Sequence, residues 1–500
     1  MKRSKFLSTE ARQLSLMMLI TMITQVVAIY KSSVTATNFG ASIELDAYNF
    51  ANNFATFFLT FVATGISTVV IPAYVKKIER KAIDTFLTLI FLGTGSLLLL
   101  TYAYRSKLVS TLTNRDNNFN TYVCSIMLIT IFIQLLPALL SVTTAYYQSK
   151  SRFNLPKVIL LVSNVAVVII LALWKSFTIY QYLYVLFGGV IFQFVVDLAF
   201  AIFYGFRFAI SLDLYNIEFI KMIKIFLPTL FSTGIYKFNT MVDSLISSNL
   251  ATGQLTIFSY ANTIVGMVNA LVIGNLTAYI YPKIVEKVSV GNKEGQKSLW
   301  SYSVAFHTVV CLIITGFISV GREFIGILYE HGQFSSEAAD MMYLCMCIYI
   351  FGQQNNVIRD LIYRYFFAHG NTKTTVKNGC ITSSINIVCS LVLSRRMGLY
   401  GIVFGSFIAG TYSLLGIIWR MKKKYGFTIS IKPYIYEIMK TEVAMISTII
   451  IIIIMKNFIV NLSIYTAFLL FGTLVVVIYC VLLFVFKSNI FRFIYKYSKS

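Results

Sequence analysis

Apolar positions run along this chain in long blocks, and the polar positions gather in short gaps between them. A helix that crosses a bilayer needs about 20 largely apolar residues. Fourteen blocks reach that length, at residues 13–37, 46–75, 83–104, 120–147, 156–174, 180–205, 217–249, 256–282, 299–321, 338–363, 374–394, 398–419, 441–460 and 463–486. None alternates with the period of a strand, and no gap has room for a soluble domain. The pattern predicts an all-α integral membrane protein with about 14 transmembrane helices.

Composition sharpens this. Of 500 residues, 57% are hydrophobic and 12% charged, where a soluble chain carries about 25% charged residues. The net charge of +23 would suggest nucleic acid in a soluble protein. Here the positives occupy the gaps, where they set topology and meet anionic headgroups. With no nucleic-acid-binding motif beside them, membrane lipids are the expected partners. If the N-terminus is cytoplasmic, only Arg105, Lys107, Arg115, Lys175, Arg322, Arg395, Arg396 and Lys456 fall outside, and Lys31, Lys237 and Arg359 fall within blocks. All other Lys and Arg then lie inside, a strong positive-inside signal. An even number of spans returns the C-terminus to the cytoplasm. The first block follows Lys2, Arg3, Lys5 and Arg12, is too long for a signal peptide and has no small-x-small cleavage site, so it reads as a retained span. No feature specifies an assembly, and a monomer is expected.

The chain carries a weak copy of itself. Tyr30-Lys31, Tyr48-Asn49-Phe50-Ala51-Asn52-Asn53 and Pro72 match Tyr236-Lys237, Phe258-Ser259-Tyr260-Ala261-Asn262-Thr263 and Pro282. Ala51 to Pro72 and Ala261 to Pro282 are both 21 residues apart. A parallel repeat follows: six-helix lobes at 1–215 and 216–427, with two more helices in 428–500. Transporters built from repeats place substrate between halves that rock against each other.

Charges inside apolar blocks need a reason. Lys31 and Lys237 occupy related places in the repeat, and two convergent ammoniums would hold a phosphate or diphosphate; the bland alternative is snorkelling to headgroups. Asp243 could bind a coupling cation, relay a proton or form a structural ion pair, and Asp197 is a weaker case of the same kind. Asp46 opens the second block and either joins the substrate set or serves as a helix N-terminal charge. Asn49, Asn52 and Asn53, and Asn262 in the matching block, form polar stripes that either bind helices together or face a water-lined cavity, where they would suit sugar hydroxyls. Adjacent helical residues do not face each other, so Asp360 is expected to pair with Arg364 rather than Arg359. The seven cysteines lie in apolar blocks without metal-ligand company, because His307, His331 and His369 are scattered. There is no P-loop and no assembled nucleophile, so the chain reads as a transporter and not an enzyme.

Four stretches narrow the reading. They are Phe39-Gly40-Ala41 with Leu45-Asp46-Ala47-Tyr48 and Ala63-Thr64-Gly65 through Ile71-Pro72; Leu227-Pro228 with Val242-Asp243-Ser244, Ser259-Tyr260-Ala261 and Tyr281-Pro282; Leu328 to Phe334; and Phe366 to Thr374. In this order they resemble the MurJ/MviN family of lipid II flippases, within the multidrug/oligosaccharidyl-lipid/polysaccharide exporter superfamily. The resemblance implies fourteen spans in a bacterial cytoplasmic membrane, alternating access, a cationic cavity, and an undecaprenyl-diphosphate-linked glycan as cargo for peptidoglycan or polysaccharide export. It implies a lipid-tail groove from the last two helices, here 441–486. It also maps a sodium site onto Asp243, Asn386, Ser390 and Ser406, with sodium or proton coupling; Ser390 stands where a carboxylate would bind more strongly. Where family members carry cavity arginines, this chain has Gln25, Leu59, Thr60 and Thr263, with Lys31 at the next such place on the first helix, and Thr64 stands for a glutamate. Lysine is a poorer bidentate ligand for phosphate than arginine, so the headgroup could belong to an accessory polysaccharide. The alternative function is a cation-coupled multidrug-type exporter of small molecules, which needs a carboxylate-rich cavity in the first lobe. A third is an inactive scaffold.

Overall fold

The computed structural model describes residues 2–150, 152–174, 176–270, 275–459 and 462–489. Among them every regular element is helical. The first half contains α1 (Lys2–Phe39), α2 (Ile43–Gly65), α3 (Ile71–Val75), α4 (Arg80–Ala103), α5 (Arg105–Leu112), α6 (Asn117–Ser149), α7 (Leu155–Leu173), α8 (Ile179–Phe203) and α9 (Ile217–Ser248). A π turn at Ile66–Val70 joins α2 to α3. There follow α10 (Gln254–Val268), α11 (Asn275–Val290), α12 (Asn292–Leu328), α13 (Ser336–Phe351), α14 (Gln353–Ala368), α15 (Thr372–Met397), α16 (Leu399–Tyr425), α17 (Lys432–Phe458) and α18 (Ile464–Val485).

The gaps start helices as local chemistry requires. Ser42 accepts from the Leu45 amide at the head of α2, Asp116 from Phe119 at α6 and Asn216 from Glu218 and Phe219 at α9. Each supplies an acceptor to amides that have no partner within the helix. Thr178 and Gln181 close a reciprocal capping box on α8.

Twelve of these helices, with α2 through α3 counted as one, are long and apolar enough to cross a membrane. The other two expected spans are split. Span 256–282 becomes α10 and α11, and 271–274 lie outside the described residues. Span 338–363 becomes α13 and α14, broken at Gly352. The break precedes Gln353-Gln354-Asn355-Asn356, and it leaves α13 and α14 with 16 residues each, too short to span singly.

The chain divides into two compact units, Met1–Thr256 and Ile257–Ser500. Helix α9 packs on α2 and α4, and so belongs with the first unit. In that unit α2 is also packed by α6, α6 by α8, and α7 by both α1 and α8. Its core includes Val62, Ile66, Val70, Phe86, Val142 and Phe226. In the second unit α12 is central, covered by α11, α13, α14, α17 and α18. Helices α15 and α16 lie against each other at glycines: a Cβ on Gly401 would strike the Leu393 backbone, and one on Gly405 the Ser390 backbone. Small residues at such crossings let helices approach closely in lipid. Outward positions such as Leu99, Phe203, Leu469 and Phe484 are exposed and apolar, the surface a bilayer solvates.

One expected ion pair is corrected. Arg359 bonds its neighbour Asp360, through Nε at 3.0 Å and Nη2 at 2.8 Å. Arg364 instead lies over the rings of Tyr281 and Phe367. The spacing rule concerns Cβ directions; the long guanidinium wraps sideways and reaches the adjacent carboxylate.

Candidate functional site

The polar residues at the start of α2 face a turn, not a cavity. Asp46 is 1% exposed. Its Oδ2 accepts from the Gly253 amide at 2.7 Å, and its Oδ1 from the Thr256 amide and hydroxyl at 2.9 and 2.8 Å. Arg115 Nη2 stands 3.5 Å from the same carboxylate. That arginine also donates to the Leu250 carbonyl and the Thr252 hydroxyl and covers the Phe119 ring. Asp46 therefore caps α10 from another helix, in the negative-charge position that a helix N-terminus favours. The turn tolerates only glycine at 253, where φ is +86° and a Cβ would strike Ala41. With its acceptors filled, Asp46 serves in this structure as a latch between α2 and the turn before α10. Arg115, read from sequence only as an external charge, completes it.

The asparagines of α2 continue this seam. Asn49 Nδ2 donates to Thr256 Oγ1 at 3.3 Å and Asn53 Nδ2 to Ser244 Oγ at 3.0 Å. Asn52 Oδ1 accepts from Gln134 Nε2 at 2.6 Å. All three are half-buried, so each fixes a helix contact while keeping part of its amide accessible. Asp197, buried on α8, accepts from Thr143 Oγ1 at 2.5 Å, and its carbonyl accepts from Tyr147 Oη.

The two lysines behave differently. Lys31 on α1 and Lys237 on α9 are both half-buried, and neither ammonium has a hydrogen-bond or ion-pair partner among the described residues. Both belong to the first unit, α1 packing on α7 and α9 on α2 and α4. Asp243, buried on the same α9, lies in this unit as well, whereas Asn262, Asn386, Ser390 and Ser406 belong to the second. Asn262 is exposed, Asn386 and Ser390 are buried and Ser406 is half-buried.

The sequence stretches singled out above build turns. Gly40, Gly332 and Gly370 all have positive φ. Glu330 receives a 2.5 Å bond from Arg322, which holds its carboxyl below the ordinary range despite partial desolvation. His369 is clasped by the rings of Tyr365 and Tyr425 and bonds Asn292 at 3.1 Å. Asn371 then caps α15.

A family model described as lipid II flippase MurJ matches residues 35–479. A probable lipid II flippase MurJ of Helicobacter pylori strain 26695 is 24% identical over 212 residues, 41% of this chain and 44% of that protein. The lipid II flippase MurJ of Thermosipho africanus is 27% identical over 117 residues, 23% of this chain and 24% of that one. These alignments span less than half the length of the curated relatives. Among solved structures, lipid II flippase MurJ in an inward closed conformation superposes with a TM-score of 0.79 at 20% identity, over 95% of this chain and 99% of that one. An inward-facing multidrug resistance MATE family transporter of the MOP superfamily gives 0.67 at 12% identity, over 82% and 99%. The structural likeness establishes the fold, and the family model extends from the end of α1 into α18: the chain belongs to the MurJ lipid II flippase family.

Proposed function

We propose that this protein moves a polyprenyl-diphosphate-linked sugar, lipid II or the precursor of another glycan, across the bacterial cytoplasmic membrane by alternating access, without a catalytic step. The observation that carries the proposal is the pair Lys31 and Lys237, half-buried cations in spanning helices with no partner among the described residues. A cation within the bilayer costs about 3 kcal/mol on insertion scales, so two of them in one unit mark a site for an anion. A diphosphate supplies the charge, and the accessible parts of Asn49, Asn52 and Asn53 can offer amide bonds to sugar hydroxyls. Lysine acts as a point charge without the planar fork of arginine, which suits release on the far side.

In this reading Asp243 takes up the coupling sodium ion or the proton, α17 and α18 carry the lipid tail, both termini are cytoplasmic, and the working unit is a monomer. A small-molecule exporter of the multidrug type would need free carboxylates in the first unit, but Asp46 and Asp197 are both hydrogen-bonded there.

The test uses the full chain in vesicles carrying labelled lipid II or another labelled polyprenyl-diphosphate sugar. Lys31→Ala with Lys237→Ala should abolish translocation while the purified protein keeps its size-exclusion profile. Full translocation by that double variant would remove the anion site. Asp243→Asn should weaken dependence on sodium or on the proton gradient; an unaltered ion dependence would make Asp243 structural.

A further inference from the structure

The chain between α8 and α9 forms no helix, yet it is tied down along its length. Phe206 near its start and Phe219 just past its end are buried in the core of the first unit. Between them the segment lies against the first turns of α4. The Ala209 amide donates to the Asp84 carboxylate. The Ser211 amide donates to Thr88 Oγ1 at 3.3 Å, and the Asp213 amide to Thr85 Oγ1 at 3.2 Å. Lys81 pairs with the Asp213 carboxylate at 2.9 Å, and Asn216 Nδ2 donates to Glu79 Oε2 at 2.9 Å. Amides 209, 211 and 213 are thus all spent on α4, the alternation of an extended chain.

The intervening side chains are left uncovered. Phe208, Ile210, Leu212 and Leu214 are exposed, Ile210 at 81%, and Tyr215 and Ile217 follow at 93% and 71%. The row continues the lipid-facing surface of Phe203 on α8 and runs on to exposed Ile220 on α9. An apolar patch of this extent is costly in water. Deep hydrocarbon does not suit the segment either, because irregular backbone facing lipid leaves its remaining amides unsatisfied. The headgroup–acyl boundary meets both demands: apolar side chains are buried there, and water and headgroup oxygens reach the backbone.

Charge then selects the lipid. The acids of this region already have cations: Asp84 has Arg80, Asp213 has Lys81 and Glu218 has Lys221. Arg207 at the head of the row, Lys224 on α9, and Lys76 and Lys77 just before Glu79 are exposed and have no ion pair among the described residues. We propose that residues 206–217 are an interfacial anchor. The row from Phe208 to Ile217 enters the boundary of one leaflet, and Lys76, Lys77, Arg207 and Lys224 hold anionic phospholipid headgroups beside it. The anchor sets the depth of α4, α8 and α9 in the bilayer, whatever cargo the protein carries.

The test places a tryptophan at an exposed position of the row, Leu212→Trp, in the full chain. The protein is put into nanodiscs of equal parts phosphatidylcholine and phosphatidylglycerol, with bromines near the top of the acyl chains of one lipid or the other. The signal of the three native tryptophans is subtracted with the unsubstituted chain. The proposal expects blue-shifted emission, and quenching at least about twofold stronger when phosphatidylglycerol carries the bromines. Raised salt should narrow that preference. Lys76→Gln, Lys77→Gln, Arg207→Gln and Lys224→Gln together should equalise the two lipids while the size-exclusion profile is kept. Water-like emission that neither brominated lipid quenches would leave the row free for a protein strand, and would overturn the anchor. Equal quenching by the two lipids before the charges are removed would overturn the headgroup assignment.

Discussion

At the turn between α9 and α10, Asp46, Arg115, Gly253 and Thr256 satisfy one another; on α1 and α9 of the same unit, Lys31 and Lys237 have no such partners among the described residues. Asp46 is buried at the start of one spanning segment and the two lysines lie within others, and a buried or membrane-embedded polar group without a partner is expensive. The first recovers that cost within the fold and so acts as a joint. The second leaves it uncovered, which a chain sustains where a ligand supplies the missing charge. Partner count therefore separates residues that hold helices from the two lysines proposed above as an anion site, although both are simply polar residues in apolar blocks when read along the sequence.

The largest effect should come from Asp46→Ala, which strands Arg115 and two buried amides; breaking a buried pair from one side costs about 3–5 kcal/mol, visible as a sharp fall in the detergent unfolding midpoint. A midpoint close to wild type would dissolve the contrast between joint and site. Next is Gly253→Ala, which forces a side chain into positive φ against Ala41 and should cost about 1–3 kcal/mol by the same measurement. Asn53→Ala removes one half-buried bond to Ser244 and should cost about 1 kcal/mol or less. Glu330 tests a joint outside the spans. Because Arg322 lowers its folded pKa, its contribution is present above the ordinary carboxylate value of about 4.3 and is lost as pH falls through the lower folded value. Glu330→Gln should flatten that acid limb of a stability–pH profile. Last comes Lys31→Ala with Lys237→Ala, which removes two unpartnered cations and should leave the unfolding midpoint at or above wild type, even as translocation disappears.

The spanning helices were legible because an apolar block of the right length has few other uses. The break at Gly352 was not, because a block average hides four consecutive amides behind flanking tyrosines and isoleucines. Matching sequence says nothing about which helices pack, and the packing of α9 on α2 and α4 had no signal in it. Asp46 was visible as a buried charge. Its partners lie 207 and 210 residues away, beyond any local pattern, and the asparagine stripe left open the choice between adhesion and cavity.

The π turn at Ile66–Val70 bears on how this chain tolerates length changes. Pro72 has no amide to offer the Thr68 carbonyl, and the widened turn absorbs one residue beyond the α-helical count. Each residue advances a helix by about 100°. Deleting a single residue from the bulge would restore ordinary winding and keep the phase of Pro72 and Tyr74 relative to the upstream face, whereas the same deletion between Asp46 and Asn53 would rotate those two apart. Natural indels in this helix should therefore collect at 66–70.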